Sequence, residues 1–178
     1  KHPPTALALI LDTSYSMDYL IDSRTYLDKA KAAIQKINTM TNSDDRIILI
    51  TSSESFNDLH AQVFAGKIPE DIISTIVVTH SPLSIQAMYN LAHEKLIDAQ
   101  LPNREIYLLS DLQTSDFPTK GDIPIRCIPL SNETEFQNLN TSHATPIAQF
   151  IDRNRTQTIQ FEVTNFGSSL RSDVLVKA

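Results

Sequence analysis

Apolar residues come in short blocks divided by polar stretches, and the blocks alternate between two periods. Thr5–Leu11 (TALALIL) is a continuous apolar run with no helix cap before it, and it stops at Asp12. A run of that length and abruptness predicts a strand buried on both faces. Arg46–Thr51, Arg104–Leu109 and Ile123–Leu130 repeat the pattern. Leu59–Phe64 reads as a shorter, more exposed strand ended by Gly66, and Val77–Thr79 as a brief one. Between these lie stretches of helical period. Thr25–Thr39 carries Leu27, Ala30, Ala33, Ile34 and Ile37 on one stripe, and Ser84–Ala99 carries Ile85, Met88, Leu91, Ala92 and Leu96. Pro69–Ile76 predicts a short helix with proline at its start. Apolar strands alternating with amphipathic helices predict an α/β fold, doubly wound, with a mainly parallel sheet covered by helices on both faces.

The texture changes after about residue 142. Thr156–Thr164 and Arg171–Lys177 alternate strictly around the turn Asn165–Ser169, the signature of an antiparallel hairpin. The expected organisation is a first domain over 1–142 and a hairpin segment over 143–178, which could open a truncated β-sandwich.

Composition removes several function classes. The chain has 178 residues, enough for one full domain, with a formal charge of −6 that argues against a nucleic-acid face. Its 3 glycines stand far apart, so no glycine-rich nucleotide loop can form. The single cysteine, Cys127, excludes an internal disulfide and a cysteine-built zinc site, and its apolar surroundings predict a buried side chain. The five histidines form no metal-binding pair, and no hydrolase elbow occurs. The longest apolar run is far short of the roughly 20 residues of a bilayer span. The chain opens on Lys1-His2-Pro3-Pro4 without Met and ends in a strand-like run, so the expectation is a soluble piece of a longer protein, whose other parts could include membrane segments.

In an open α/β sheet, ligands bind beyond the carboxyl ends of the strands. The first strand exits into Asp12-Thr13-Ser14-Tyr15-Ser16, where a carboxylate and two hydroxyls occupy alternate positions. Arg104–Leu109 exits into Ser110-Asp111, and Ser84 precedes the second long helix. Oxygen donors without Cys or His suit a hard cation such as Mg²⁺, which keeps several waters and so needs few protein ligands. Taken singly, Asp12, Ser14 and Ser84 are also good helix caps, and Asp111 a good turn residue.

The run Leu9–Met17 resembles the first motif of von Willebrand factor type A (vWA) domains, the metal-ion-dependent adhesion site. Ser84–Met88 is similar to the second motif, where the family usually has Thr, and Leu108–Asp111 to the third, often Asp-Gly in the family. The likeness covers about residues 5–130, and Ser110–Ser115 also resembles the bacterial BatA-like proteins linked to the aerotolerance operon. This resemblance implies that Ser14 and Ser16 bind a divalent cation directly, with Mg²⁺ expected and Mn²⁺ or Ca²⁺ as alternatives. It implies that Ser84 binds directly or through water, and that Asp12 and Asp111 act largely through waters. The cation would be completed by a Glu or Asp carboxylate of a protein partner, making the domain a binding module and not an enzyme. Tyr15 and Tyr19 would flank the metal face as partner anchors. Ser84 lacks the β-branch of Thr, and Leu112 stands where the family has glycine. In BatA-like proteins a membrane hairpin precedes this domain, which implies a periplasm-facing location on a bacterial inner membrane. Two other readings stand beside this one. One is a vWA scaffold that binds partners without metal; the other is a phosphatase of the haloacid dehalogenase type, whose second Asp is replaced here by Ser14.

Overall fold

The computed structural model describes residues 3–21, 23–52, 59–79, 84–112, 121–130, 139–146 and 159–165. They form two compact units, Lys1–Ser131 and Asn132–Ala178.

The first unit is built on a five-stranded, mostly parallel sheet. Its strands are β1 (Thr5–Leu11), β4 (Arg46–Ser52), β5 (Leu59–Ala65), β6 (Asn103–Ser110) and β7 (Ile125–Pro129), in the order β5-β4-β1-β6-β7. β1 lies at the centre, parallel to β4 and β6, and β7 is parallel to β6. Only β5 runs antiparallel, against β4. The central position explains the unbroken apolar run of β1, since side chains on both pleat faces are covered. Leu7, Leu9 and Leu11 join Ile47 and Leu49 in a core closed by α1 (Tyr26–Met40) and α2 (Glu70–Thr75). Ala6, Ala8 and Ile10 face the other way, toward Ile48, Ile50 and α3 (Ile85–Asp98).

Local chemistry sets where each helix begins. Thr25 Oγ1 accepts from Asp28 N at 3.0 Å and Asp28 Oδ2 accepts from Thr25 N at 3.1 Å, a reciprocal capping box. The hydrogen bonds from Thr25, backbone first, hold the Asp28 carboxyl below its ordinary value of 3.8. β2 (Leu20–Ile21) and β3 (Arg24–Thr25) make a short antiparallel pair just before α1. α3 is tied to the approach to β7: Tyr89 Oη donates to Ile123 O at 3.1 Å, and His93 Nε2 meets Asp122 Oδ1 at 2.8 Å.

The start of β1 is fixed from a distance. Asp45 is 2% exposed; its Oδ1 accepts from Thr5 N at 2.9 Å and its Oδ2 from Asn42 N at 2.7 Å. Gly66 N donates to Asp45 O at 3.0 Å, with φ at +77° and backbone atoms of Asn42 and Ser43 where a Cβ would stand. That position requires glycine on both counts.

Two expectations are corrected. Residues 77–79 do not form a strand; Thr79 instead turns its N–H to Thr13 O at 2.7 Å. Cys127 is exposed, because β7 is an edge strand, and what burial it has pushes its thiol up. In the second unit, β9 (Ile159–Asn165) pairs antiparallel with β8 (Leu139–Pro146). β8 reads as polar and ends in proline, so alternation did not mark it, and its ladder carries a register shift between Ser142 and Thr145. The expected partner Arg171–Lys177 lies outside the described residues. The two compact units divide between Ser131 and Asn132. Among the described residues, no helix is long and apolar enough to cross a membrane.

Two outcomes are expected. Asp45→Ala removes the buried carboxylate that accepts from two separate segments and lowers unfolding stability by about 1–3 kcal/mol in urea, with an unchanged m-value. Thr25→Ala costs about 1 kcal/mol at pH 7. Because Asp28 has a depressed folded value, its share of that stability is present above 3.8 and fades as pH falls through the lower folded value; the mutational difference therefore narrows in acid.

Candidate functional site

The carboxyl ends of β1 and β6 adjoin because their register is unbroken, with Leu11 opposite Leu109. Asp12 continues that register, its N–H donating to Leu109 O at 2.9 Å. The Asp12 side chain is 2% exposed and joins the two strand ends. Its Oδ1 accepts from Ser14 N at 2.8 Å and its Oδ2 from Ser110 Oγ at 2.6 Å. The first contact closes the β1 loop on itself as an Asx-turn; the second locks the loop to β6.

Beyond Asp12 the chain makes a single 3₁₀ turn over Tyr15–Asp18. Met17 N donates to Ser14 O at 3.0 Å, and the Met17 side chain is fully buried in the α1-side core. Met17 thus anchors the turn from below. The half-buried Ser14 and Ser16 sit on either side of an exposed Tyr15, and their hydroxyls share a hydrogen bond of 3.0 Å. The alternate spacing of the two serines therefore delivers two neutral oxygens to one spot, beside a carboxylate held by its own loop.

Asp111 follows directly on β6 and is 7% exposed. Ser110 Oγ accepts from Leu112 N at 3.0 Å while donating to Asp12, so one hydroxyl orders both loops. Leu112 adopts φ of +61°, the left-handed region that disfavours a β-carbon. The conformation that glycine takes without cost is thus kept here by leucine, at a cost of about 1–2 kcal/mol.

Ser84 stands at the start of α3 as its N-cap, its Oγ accepting from Ala87 N at 3.2 Å. Ser84 Oγ caps its own helix; Asp12, Ser14 and Ser16 are linked to one another by hydrogen bonds, and Asp111 directly follows Ser110, whose hydroxyl bonds to Asp12. Of the expected anchors, Tyr15 is 69% exposed, while Tyr19 stacks on Tyr26 with ring centroids 5.9 Å apart, so it also covers the start of α1.

Two features escaped the sequence reading. Ser110 is the pivot just described; a lone serine closing an apolar strand was its only signal. The second is a hydroxyl cluster behind the loop. Thr13 Oγ1 bonds to Ser52 Oγ and, at 3.2 Å, to Thr79 Oγ1, and Ser52 and Thr79 meet at 2.8 Å. These residues are 39 and 66 positions from Thr13, so no local pattern announces them. A cleft of about 240 Å³ opens beside the cluster, lined also by His60, Gln62 and Ile76.

Among the described residues no three His, Cys, Asp or Glu side chains cluster as a metal site. The donor set here is different: two carboxylates with hydroxyls, all oxygen, which fits a hard cation in character and suits no soft one. No family model and no curated protein matches the sequence. Among solved structures, the chain is similar to the three N-terminal domains of the type V pili tip protein Mfa5 from Porphyromonas gingivalis, at 17% identity and a TM-score of 0.47. That likeness covers 60% of this chain and 19% of the other.

Leu112→Gly is expected to stabilise the fold by about 0.5–1 kcal/mol in chemical unfolding, the relief of the left-handed strain exceeding the entropy glycine adds to the unfolded chain. A loss of stability would show that the Leu112 side chain contributes more by packing than its backbone costs.

Proposed function

We propose that the first unit is a doubly wound vWA-type domain whose β1 and β6 loops bind a divalent cation, Mg²⁺ by preference, and use it to capture a carboxylate of a protein partner. The observation that carries this reading is the linked set Asp12–Ser14–Ser16–Ser110: one buried carboxylate accepts from the Ser14 backbone and the Ser110 hydroxyl, and the Ser14 and Ser16 hydroxyls meet beside it. Ser14 and Ser16 would hold the cation, with Asp12 and Asp111 acting largely through water and Ser84 completing the set. Two carboxylates leave a doubly charged ion with affinity for a further anionic oxygen, and a Glu or Asp of a partner supplies it. Tyr15, beside those hydroxyls and largely exposed, would pack against that partner. On the BatA-like resemblance, the domain would face the periplasm from a bacterial inner membrane.

A second reading, a vWA scaffold that binds without metal, is favoured by one observation: the Ser84 hydroxyl is engaged in capping α3. A phosphatase has less support. Both Asp12 oxygens accept hydrogen bonds and the side chain is 2% exposed, so neither oxygen is presented for in-line attack.

Calorimetric titration separates the first two. The metal reading expects saturable binding of Mg²⁺ or Mn²⁺, weakened at least tenfold by Asp111→Ala in a chain that still unfolds cooperatively. It also expects Ser84→Thr to tighten binding severalfold, since the β-branch restricts the hydroxyl's rotamers. No heat of binding up to about 10 mM cation, where binding free energy falls below roughly 3 kcal/mol, would leave the metal-free scaffold.

A further inference from the structure

Among the described residues the five-stranded sheet ends in two edge strands, β5 and β7, and they are guarded very differently. β7 is five residues long, ends in Pro129, which has no N–H to offer, and carries Arg126 beside Glu105 and Tyr107 of β6. Such features blunt an edge against further pairing. β5 has none of them. Its sequence, Leu-His-Ala-Gln-Val-Phe-Ala, contains no proline and no Lys, Arg, Asp or Glu, in a protein of net charge −6. Its seven-residue ladder with β4 runs from Leu59 opposite Ser52 to Ala65 opposite Arg46 without a bulge. Val63 at its middle is 56% exposed.

We infer that β5 is a homodimer edge: two copies of this chain pair antiparallel through β5 about a two-fold axis at Gln62, joining their sheets into one. Centring the axis on Gln62 is the one register that uses all seven residues, and it is self-complementary. On the α3 side Leu59 meets the second copy's Ala65, and Ala61 meets its Val63, so the exposed valine is covered by an apolar neighbour. On the α1 side His60 meets Phe64, and the two Gln62 amides face each other, each able to donate to the other. No formal charge faces a like charge anywhere along the ladder, the condition that cross-strand pairing requires. The contact is isologous and closes on itself, so it yields a dimer and not a filament. A single ladder is small beside the ~1,200–2,000 Å² of stable complexes, so association in the range of about 10–100 μM is expected.

The test uses the full chain. Sedimentation velocity between about 5 and 500 μM should show a monomer–dimer equilibrium, and Val63→Lys should weaken it at least tenfold while leaving the unfolding temperature within a few degrees, because the charge replaces an exposed side chain. In a Cys127→Ser background, mild oxidation of Gln62→Cys should give a disulfide-linked dimer far faster than Val63→Cys, whose partner position is Ala61 and not itself. A monomer at every concentration overturns the proposal. So does equal cross-linking of the two cysteine variants, which is the signature of random collision. A Val63→Lys chain that loses stability without any change in association also overturns it, since β5 would then be covered within one chain.

Discussion

The arrangement at the top of the sheet depends on one carboxylate. Asp12 sits almost wholly out of water at the end of the central strand, and a buried charge is tolerable only when its oxygens are well supplied with donors. One donor is the backbone of Ser14 and the other the hydroxyl of Ser110. Those two contacts convert the desolvation penalty into a geometric constraint. The β1 loop must curl so that Ser14 N faces Asp12, and β6 must end where Ser110 can reach it. Everything proposed about a cation at Ser14 and Ser16 presupposes this curl.

The constraint extends outward through single side chains that each serve two segments. Ser110 passes order from Asp12 to Leu112, whose left-handed backbone is strained and is held there by that contact. Met17 fixes the 3₁₀ turn by filling the core beneath it, so the serines on either side of Tyr15 are set by packing as much as by hydrogen bonding. Thr13 extends the order backwards to Ser52 and Thr79, tying the loop to β4 and to the segment after α2. Asp45 performs a similar service at the opposite end of β1. The central strand is thus held by a buried carboxylate near each end, and its apolar body fills the space between the two helical layers.

The same sheet shows how strand position decides chemistry. β1, in the centre, can be uniformly apolar because both faces are covered, and the run Thr5–Leu11 marks it plainly. The edge strands carry weaker sequence signals. Cys127 lies in an apolar stretch, yet among the described residues β7 has a neighbouring strand on one side only, and Cys127 is exposed. β5 looked short and exposed, which it is, but its uncharged sequence gains meaning only once it is known to be an edge.

What the amino-acid sequence determined by itself was whatever depends on local periodicity and on the ends of apolar runs. The strands at Thr5–Leu11, Arg46–Thr51 and Arg104–Leu109, the helices on the Thr25–Thr39 and Ser84–Ala99 stripes, and the oxygen-rich exits at Asp12–Ser16 and Ser110–Asp111 all follow from spacing within about fifteen residues. The tertiary structure alone decided the strand order, the pairing of β8 with β9, the double service of Ser110, and the meeting of Thr13 with Ser52 and Thr79. The physical reason is range. A helical stripe or an apolar run is written in neighbouring residues, whereas a hydrogen bond between side chains 98 positions apart, as from Ser110 to Asp12, exists only after the sheet has brought two strand ends together.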